Sequence, residues 1–211
     1  MTRAVSLSCL LLAALAAGCR DAPPPAPPPG ETNVAARPAD AGLAEQSRRV
    51  MVVALAAAGA RGDRVRMYAK VPGRAELVAV RDSTAWPDDV ETTYAVAADE
   101  EGRILQVAEV PASQSGDWHN VYTHYFDAEG RTRGFVRESS FFNGCPRQGT
   151  RERTESLFDA RGRLVQRRHG LTDFDGREVD PAGCEFLYRF PYRIHLTVQE
   201  LLRETGLPAP R

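Results

Sequence analysis

Lysine is almost missing from this 211-residue chain: of its 27 basic residues Lys70 alone is a lysine, and the rest are arginines. Arginine together with abundant alanine follows the codon bias of a GC-rich genome, so the skew by itself names no arginine-specific role. With 28 acidic residues the formal net charge is -1. That balance is too near neutral for a protein that coats nucleic acid. Catalytic signatures are missing too: there is no Gly-x-Ser-x-Gly, no Gly-x-x-x-x-Gly-Lys and no His-Glu-x-x-His. Of the four histidines, His119 and His124 are five apart, which on a strand puts them on opposite faces, and His169 and His195 stand alone. No Cys-x-x-Cys pair accompanies them, so neither a metal nor another cofactor is expected. The paired acids Asp88-Asp89 and Glu100-Glu101 fall in turn-like, solvated segments, where nothing raises a carboxyl pKa into a catalytic range.

What is present begins at the N-terminus. Arg3, the uncharged run Ala4 to Cys19 and the small residues Ala16-Ala17-Gly18 make a secretory signal; the run is too short to cross about 30 Å of hydrocarbon comfortably. The segment Leu15-Ala16-Ala17-Gly18-Cys19 resembles the lipobox of bacterial lipoproteins. The resemblance implies cleavage after Gly18, acylation of Cys19 and attachment to a membrane in the bacterial envelope. Arg20, where an Asp would imply inner-membrane retention, points to the outer membrane. Plain secretion, with Cys19 free or in a disulfide, is the alternative. Loss of residues 1–18 removes Arg3 and takes the formal charge from -1 to -2. Of the four cysteines, Cys9 leaves with the signal and Cys19 goes to lipid, so Cys145 and Cys184 are expected to form a disulfide in an oxidising periplasm. Residues 19–42 hold seven prolines and no periodic apolar pattern, as expected of a disordered, semi-rigid tether. A single globular domain is expected over 43–211.

Leu43 to Gly62 reads as a helix whose second half is apolar all round, which predicts burial against something large. The period then changes to two. Strands are expected at Val65 to Val71, Glu76 to Arg81, Thr92 to Ala98, Ile104 to Val110, Trp118 to Phe126, Arg133 to Phe142, Arg151 to Phe158, Leu164 to His169 and Glu185 to Phe190. Four copies of Asp-x-x-Gly-Arg begin at Asp99, Asp127, Asp159 and Asp173. Asp accepts backbone N–H groups at the start of a tight turn and Gly supplies the left-handed fourth position, so each copy predicts a hairpin. The Phe/Tyr-Asp-x-x-Gly-Arg signature resembles that of exported YD-type meander repeats. Thr197 with Glu200 forms a capping box for a short helix ended by Gly206. The expected fold is α+β and β-dominated: a curved antiparallel meander with an N-terminal buried helix and a short C-terminal helix.

Charge is zoned. Asp82 to Glu101 carries seven acids and no base, whereas Gly116 to Gly170 carries ten arginines against seven acids. Alternation predicts that Arg131, Arg133, Arg137, Arg151 and Arg153 share one sheet face, with Trp118 and Tyr122 as an aromatic patch beside it. The function expected is that of a lipid-anchored, non-enzymatic binding or accessory protein whose partner is an envelope protein or peptidoglycan. A carrier that encloses an apolar molecule in the curved sheet, and an envelope hydrolase whose site is assembled only in three dimensions, are the alternatives.

Overall fold

The computed structural model describes residues 32–59, 65–145, 148–182, 184–186 and 190–209. The expected signal segment, the expected lipidation site Cys19 and most of the expected proline tether lie outside the described residues. The core element is one antiparallel sheet of eight strands: β1 (Val65–Lys70), β2 (Val78–Val80), β3 (Thr92–Ala98), β4 (Ile104–Pro111), β5 (Trp118–Phe126), β6 (Thr132–Cys145), β7 (Gln148–Phe158) and β8 (Leu164–Asp173). Their spatial order is β2-β1-β3-β4-β5-β6-β7-β8. The sheet is a meander from β3 onward, open, with the short β2 hung on the outer edge of β1.

All four Asp-x-x-Gly-Arg segments are hairpin turns. Each glycine is left-handed, with φ between 72° and 84°. Each Asp carboxylate accepts the backbone N–H of the arginine four residues on, at 2.8, 2.9, 3.0 and 2.8 Å in chain order. The first three turns share a further feature that the motif does not announce. The register slips after each of them, leaving Leu105, Arg133 and Val165 as extra residues in the ladder. Such bulges re-aim a side chain, and here all three meet the same helix, α1 (Ala41–Gly59).

That helix lies on one face of the sheet through Ala44, Ser47, Met51 and Ala54. Three of these are small, so its backbone approaches the strands closely. Gly134 completes the fit, because a Cβ there would stand 2.5 Å from the Met51 sulfur. Burial all round does not hold: Val52, Val53 and Leu55 are exposed at 64%, 59% and 50%. A single helix on an open sheet has one contact face only, whatever the composition of the other.

The opposite face is covered by the C-terminal segment. Where a ninth strand was expected between Glu185 and Phe190, the described residues are irregular. Phe186 packs on Phe141, Phe190 on Trp118, and Tyr192 stacks on Tyr122 and Phe135. Helix α2 (Val198–Thr205) follows, with Thr197 Oγ1 accepting from Glu200 N–H and Gly206 left-handed at its end. Val198 and Leu201 seat it on Tyr94, Val96, Ile104, Val107 and Phe126. Cys145 and Cys184 form a disulfide that fastens the end of β6 to the start of this covering segment.

Ordered structure also starts before Leu43. Val34 and Arg167 exchange backbone hydrogen bonds at 2.9 Å, and Asn33 Oδ1 accepts the His169 N–H. The outer edge of β8 presents unpaired backbone groups, and residues 33–34 satisfy some of them. A 3-10 turn at Pro38–Asp40 leads into α1, with Asp40 held by Arg37 and Arg163.

Candidate functional site

The predicted arginine face divides between the two sides of the sheet. In the ladder Arg137 stands opposite Tyr122 and Thr154, and Trp118 opposite Phe141, all on the side covered by the C-terminal segment. Arg151 and Arg153 pair with Ser140 and Glu138 on the helix side. Arg133 is a bulge residue. It is buried, donating to Phe158 O at 3.2 Å, Asp127 Oδ2 at 3.3 Å and Ser47 Oγ at 3.3 Å. Arg131 lies exposed on its turn and reaches Ala160 O. Alternation fails as a guide here because the bulge takes Arg133 out of the two-residue period and the β6–β7 register sets Arg137 opposite Thr154, not opposite Arg151 or Arg153.

Two sites emerge from the parts. On the helix side, beyond the end of the sheet that α1 covers, Arg151, Arg153, Glu155 and Arg168 line a groove of about 400 Å³. Arg153 is paired, with Glu138 at 2.7 Å and Glu155 at 3.7 Å. Arg151 and Arg168 are exposed and form no ion pair among the described residues. This groove therefore presents guanidinium groups with open donors.

On the covered side the register aligns one transverse row across seven strands: Tyr68, Tyr94, Glu109, Tyr122, Arg137, Thr154 and His169. Its β6–β8 end is an ionic network in which Arg137 Nη2 lies 2.8 Å from Glu152 Oε2, and Glu152 Oε1 lies 2.8 Å from His169 Nε2. Arg137 also donates to Ser139 Oγ and sits over the Tyr192 ring at 5.7 Å. Nearby, the fully buried Asn120 amide and Thr150 hydroxyl meet no hydrogen-bonding partner among the described residues. β7 turns Thr150, Glu152, Thr154 and Ser156 inward, all buried and none apolar.

The other half of the row opens into a second cleft of about 400 Å³. Tyr94, Glu109 and Tyr122 are its floor; Tyr192, Arg193 and His195 form one wall; Glu204 and Thr205 of α2 close the top. Burial raises the Glu109 carboxyl above its ordinary range, and the charge of Glu204 pushes it the same way, opposed by Lys70. Burial likewise raises the Tyr94 hydroxyl, with Glu109 adding to it. His195 is lowered by burial, against the pull of Glu204 and Glu200. Beside it, burial and the His195 charge bring His124 down to about 3, so its neutral Nε2 accepts the His195 backbone N–H at 3.0 Å.

The sequence singled out neither Glu109 nor Tyr94 as a site residue. They are fifteen positions apart in the chain and become neighbours only through the β3–β4 register. Among the described residues no three His, Cys, Asp or Glu side chains converge to hold a metal ion, and no helix is long and apolar enough to cross a membrane. Comparison of the chain with protein-family models, with curated proteins and with solved structures finds no match.

Proposed function

We propose that this chain is an exported, lipid-anchored and non-enzymatic binding protein of the bacterial envelope, whose sheet domain docks an acidic segment of another envelope protein. The lipobox-like Leu15 to Cys19 supports the anchor, and the Cys145–Cys184 disulfide agrees with an oxidising compartment. The binding reading is carried by one observation: Arg151 and Arg168 stand without counter-ions among the described residues, on a groove that α1 leaves uncovered. Exposed arginines in a groove select carboxylates, since each planar guanidinium offers a bidentate fork. The proline tether lets such a domain search several tens of Å from its lipid anchor.

A fluorescent deca-glutamate peptide titrated into full-length protein in a non-ionic detergent tests the docking surface. Binding that weakens about tenfold in Arg151→Ser/Arg168→Ser and with added salt supports it. A deca-glutamine peptide binding as tightly, or no effect of the double substitution, refutes it. The anchor is tested separately by incorporation of labelled palmitate in cells, which Cys19→Ser must abolish.

The carrier reading draws on a different feature. A cleft of about 650 Å³ lies between α1 and the β3–β4 turn, with Val50, Val53, Ala57, Leu105 and Phe126 as its apolar lining and charged residues of the turns, among them Asp99, Glu101 and Arg103, also along it. Mass spectrometry of gently purified protein distinguishes the two, because a carrier retains stoichiometric lipid there.

A further inference from the structure

We propose that the cleft between Glu109 and Glu204, on the face opposite the arginine groove, binds an organic ammonium group. Charge accounting around it leaves one carboxylate without a cation. Lys70 Nζ is 2.9 Å from Glu91, and Arg193 is shared between Glu200 at 3.2 Å and Glu204 at 2.8 Å. Glu109, half-buried on the floor, makes no hydrogen bond or ion pair among the described residues. The Glu109 carboxylate, which feels Lys70 only at longer range, lines a cavity of about 400 Å³.

Acids alone do not make a site, and a second observation comes from the residue beside Glu109. Tyr94 is only 5% exposed, lines the same cleft, and its hydroxyl has no hydrogen-bond partner among the described residues. The ring is enclosed while the hydroxyl is not among the sealed polar atoms, so the unpartnered polar end of a buried side chain is open to a group bound in the cleft. The register supplies the rest of the recognition surface. Tyr94 and Tyr122 flank Glu109 on the two neighbouring strands, so their backbones are two strand spacings, roughly 9 to 10 Å, apart. An ammonium seated on the Glu109 carboxylate then lies between two tyrosines, with Glu204 above it. Aromatic side chains beside a carboxylate are the surroundings that favour a desolvated organic cation, since ring faces attract positive charge without demanding a hydration shell. A divalent metal is a worse match, because it requires several converging oxygen ligands.

The test uses full-length protein in a neutral maltoside and two probes of the same shape: choline, and its uncharged isostere 3,3-dimethylbutan-1-ol. Isothermal titration calorimetry and the near-ultraviolet tyrosine signal are read together. The expected result is choline binding that perturbs tyrosine absorption, about tenfold weaker binding of the isostere, and about tenfold weaker choline binding in Glu109→Gln. Tyr94→Leu should weaken choline severalfold, and deca-glutamate binding on the other face should be unchanged in both variants. That last measurement shows that the variants are folded. Equal affinity for the two probes, undiminished choline binding by Glu109→Gln, or no choline signal well above millimolar concentration overturns the proposal.

Discussion

Arg133 occupies the bulge position where the neighbouring hairpins place Leu105 and Val165, and its replacement by leucine tests whether the three turns are equivalent. The structure assigns the guanidinium three buried partners: Asp127, the Phe158 carbonyl and Ser47 of α1. Asp127 and Arg133 side chains are 8% and 10% exposed. Removing one partner of a buried pair costs about 3 to 5 kcal/mol, because the remaining charge stays desolvated. Leucine recovers part of this by packing on α1 as Leu105 does, since a buried apolar side chain contributes about 1.5 to 3 kcal/mol. Arg133→Leu should therefore cost about 2 kcal/mol net. Asp127→Asn should cost a similar amount, because it leaves the arginine charged while its Oδ1 still accepts the turn N–H groups of Glu129 and Arg131. The double variant removes both charges and should return to within about 1 kcal/mol of the parent, a coupling of about 3 to 4 kcal/mol. Urea unfolding reads this as a midpoint lowered by about 1 M in each single variant and largely restored in the double. Additive losses, or a single Arg133→Leu loss below about 0.5 kcal/mol, would show that Arg133 is not an ionic equivalent of its apolar counterparts.

Other perturbations have equally definite outcomes. Cys184→Ser should destabilise by about 4 kcal/mol on the chain-entropy account of a crosslink with a sequence separation of 39, and thiol titration of the unreduced, denatured parent should find neither Cys145 nor Cys184 free. His124 is neutral in the fold, pushed down to about 3 by burial, whereas in the unfolded chain it protonates near its ordinary 6.5. The unfolded state therefore binds the extra proton as pH falls below about 6.5. Between there and about pH 3 the parent should lose about 1.4 kcal/mol per pH unit more than His124→Gln, measured by urea unfolding at each pH; parallel curves would contradict this. Gly134→Ala places a Cβ against Met51 and Tyr125 and should cost about 1 to 3 kcal/mol by overpacking, and much less than that when introduced into a Met51→Ala background, as read by thermal melts.

The local design of this protein was legible in the chain. Asp-x-x-Gly-Arg states its own geometry, because a carboxylate that can cap backbone N–H groups and a residue that tolerates positive φ are needed at fixed offsets in a tight turn. The strands from Thr92 to Ala98 and from Trp118 to Phe126 kept their predicted limits for the same reason, bounded by turn residues and carrying a period of two. Thr197, Glu200 and Gly206 likewise set the limits of α2 within a few residues of chain.

The tertiary structure decided what lies inside. β7 reads as a strand of polar residues with no apolar side, and nothing within it says that Glu152 is buried while Arg151 and Arg153 are exposed. That depends on a covering segment more than twenty residues downstream, which packs over one face and is irregular where described, despite its strand-like composition. The bulge withdraws Arg133 into the helix contact, and the β6–β7 register sets Arg137 opposite Thr154 and Glu138 opposite Arg153, so five arginines expected on one face are divided between two. Glu109, Tyr94 and Tyr122 become a site only through cross-strand register, a relation between residues far apart in sequence. Turns follow from the conformational limits of a few adjacent residues, which the sequence by itself determined; burial and charge pairing follow from contacts between distant ones, which only the folded sheet brings about.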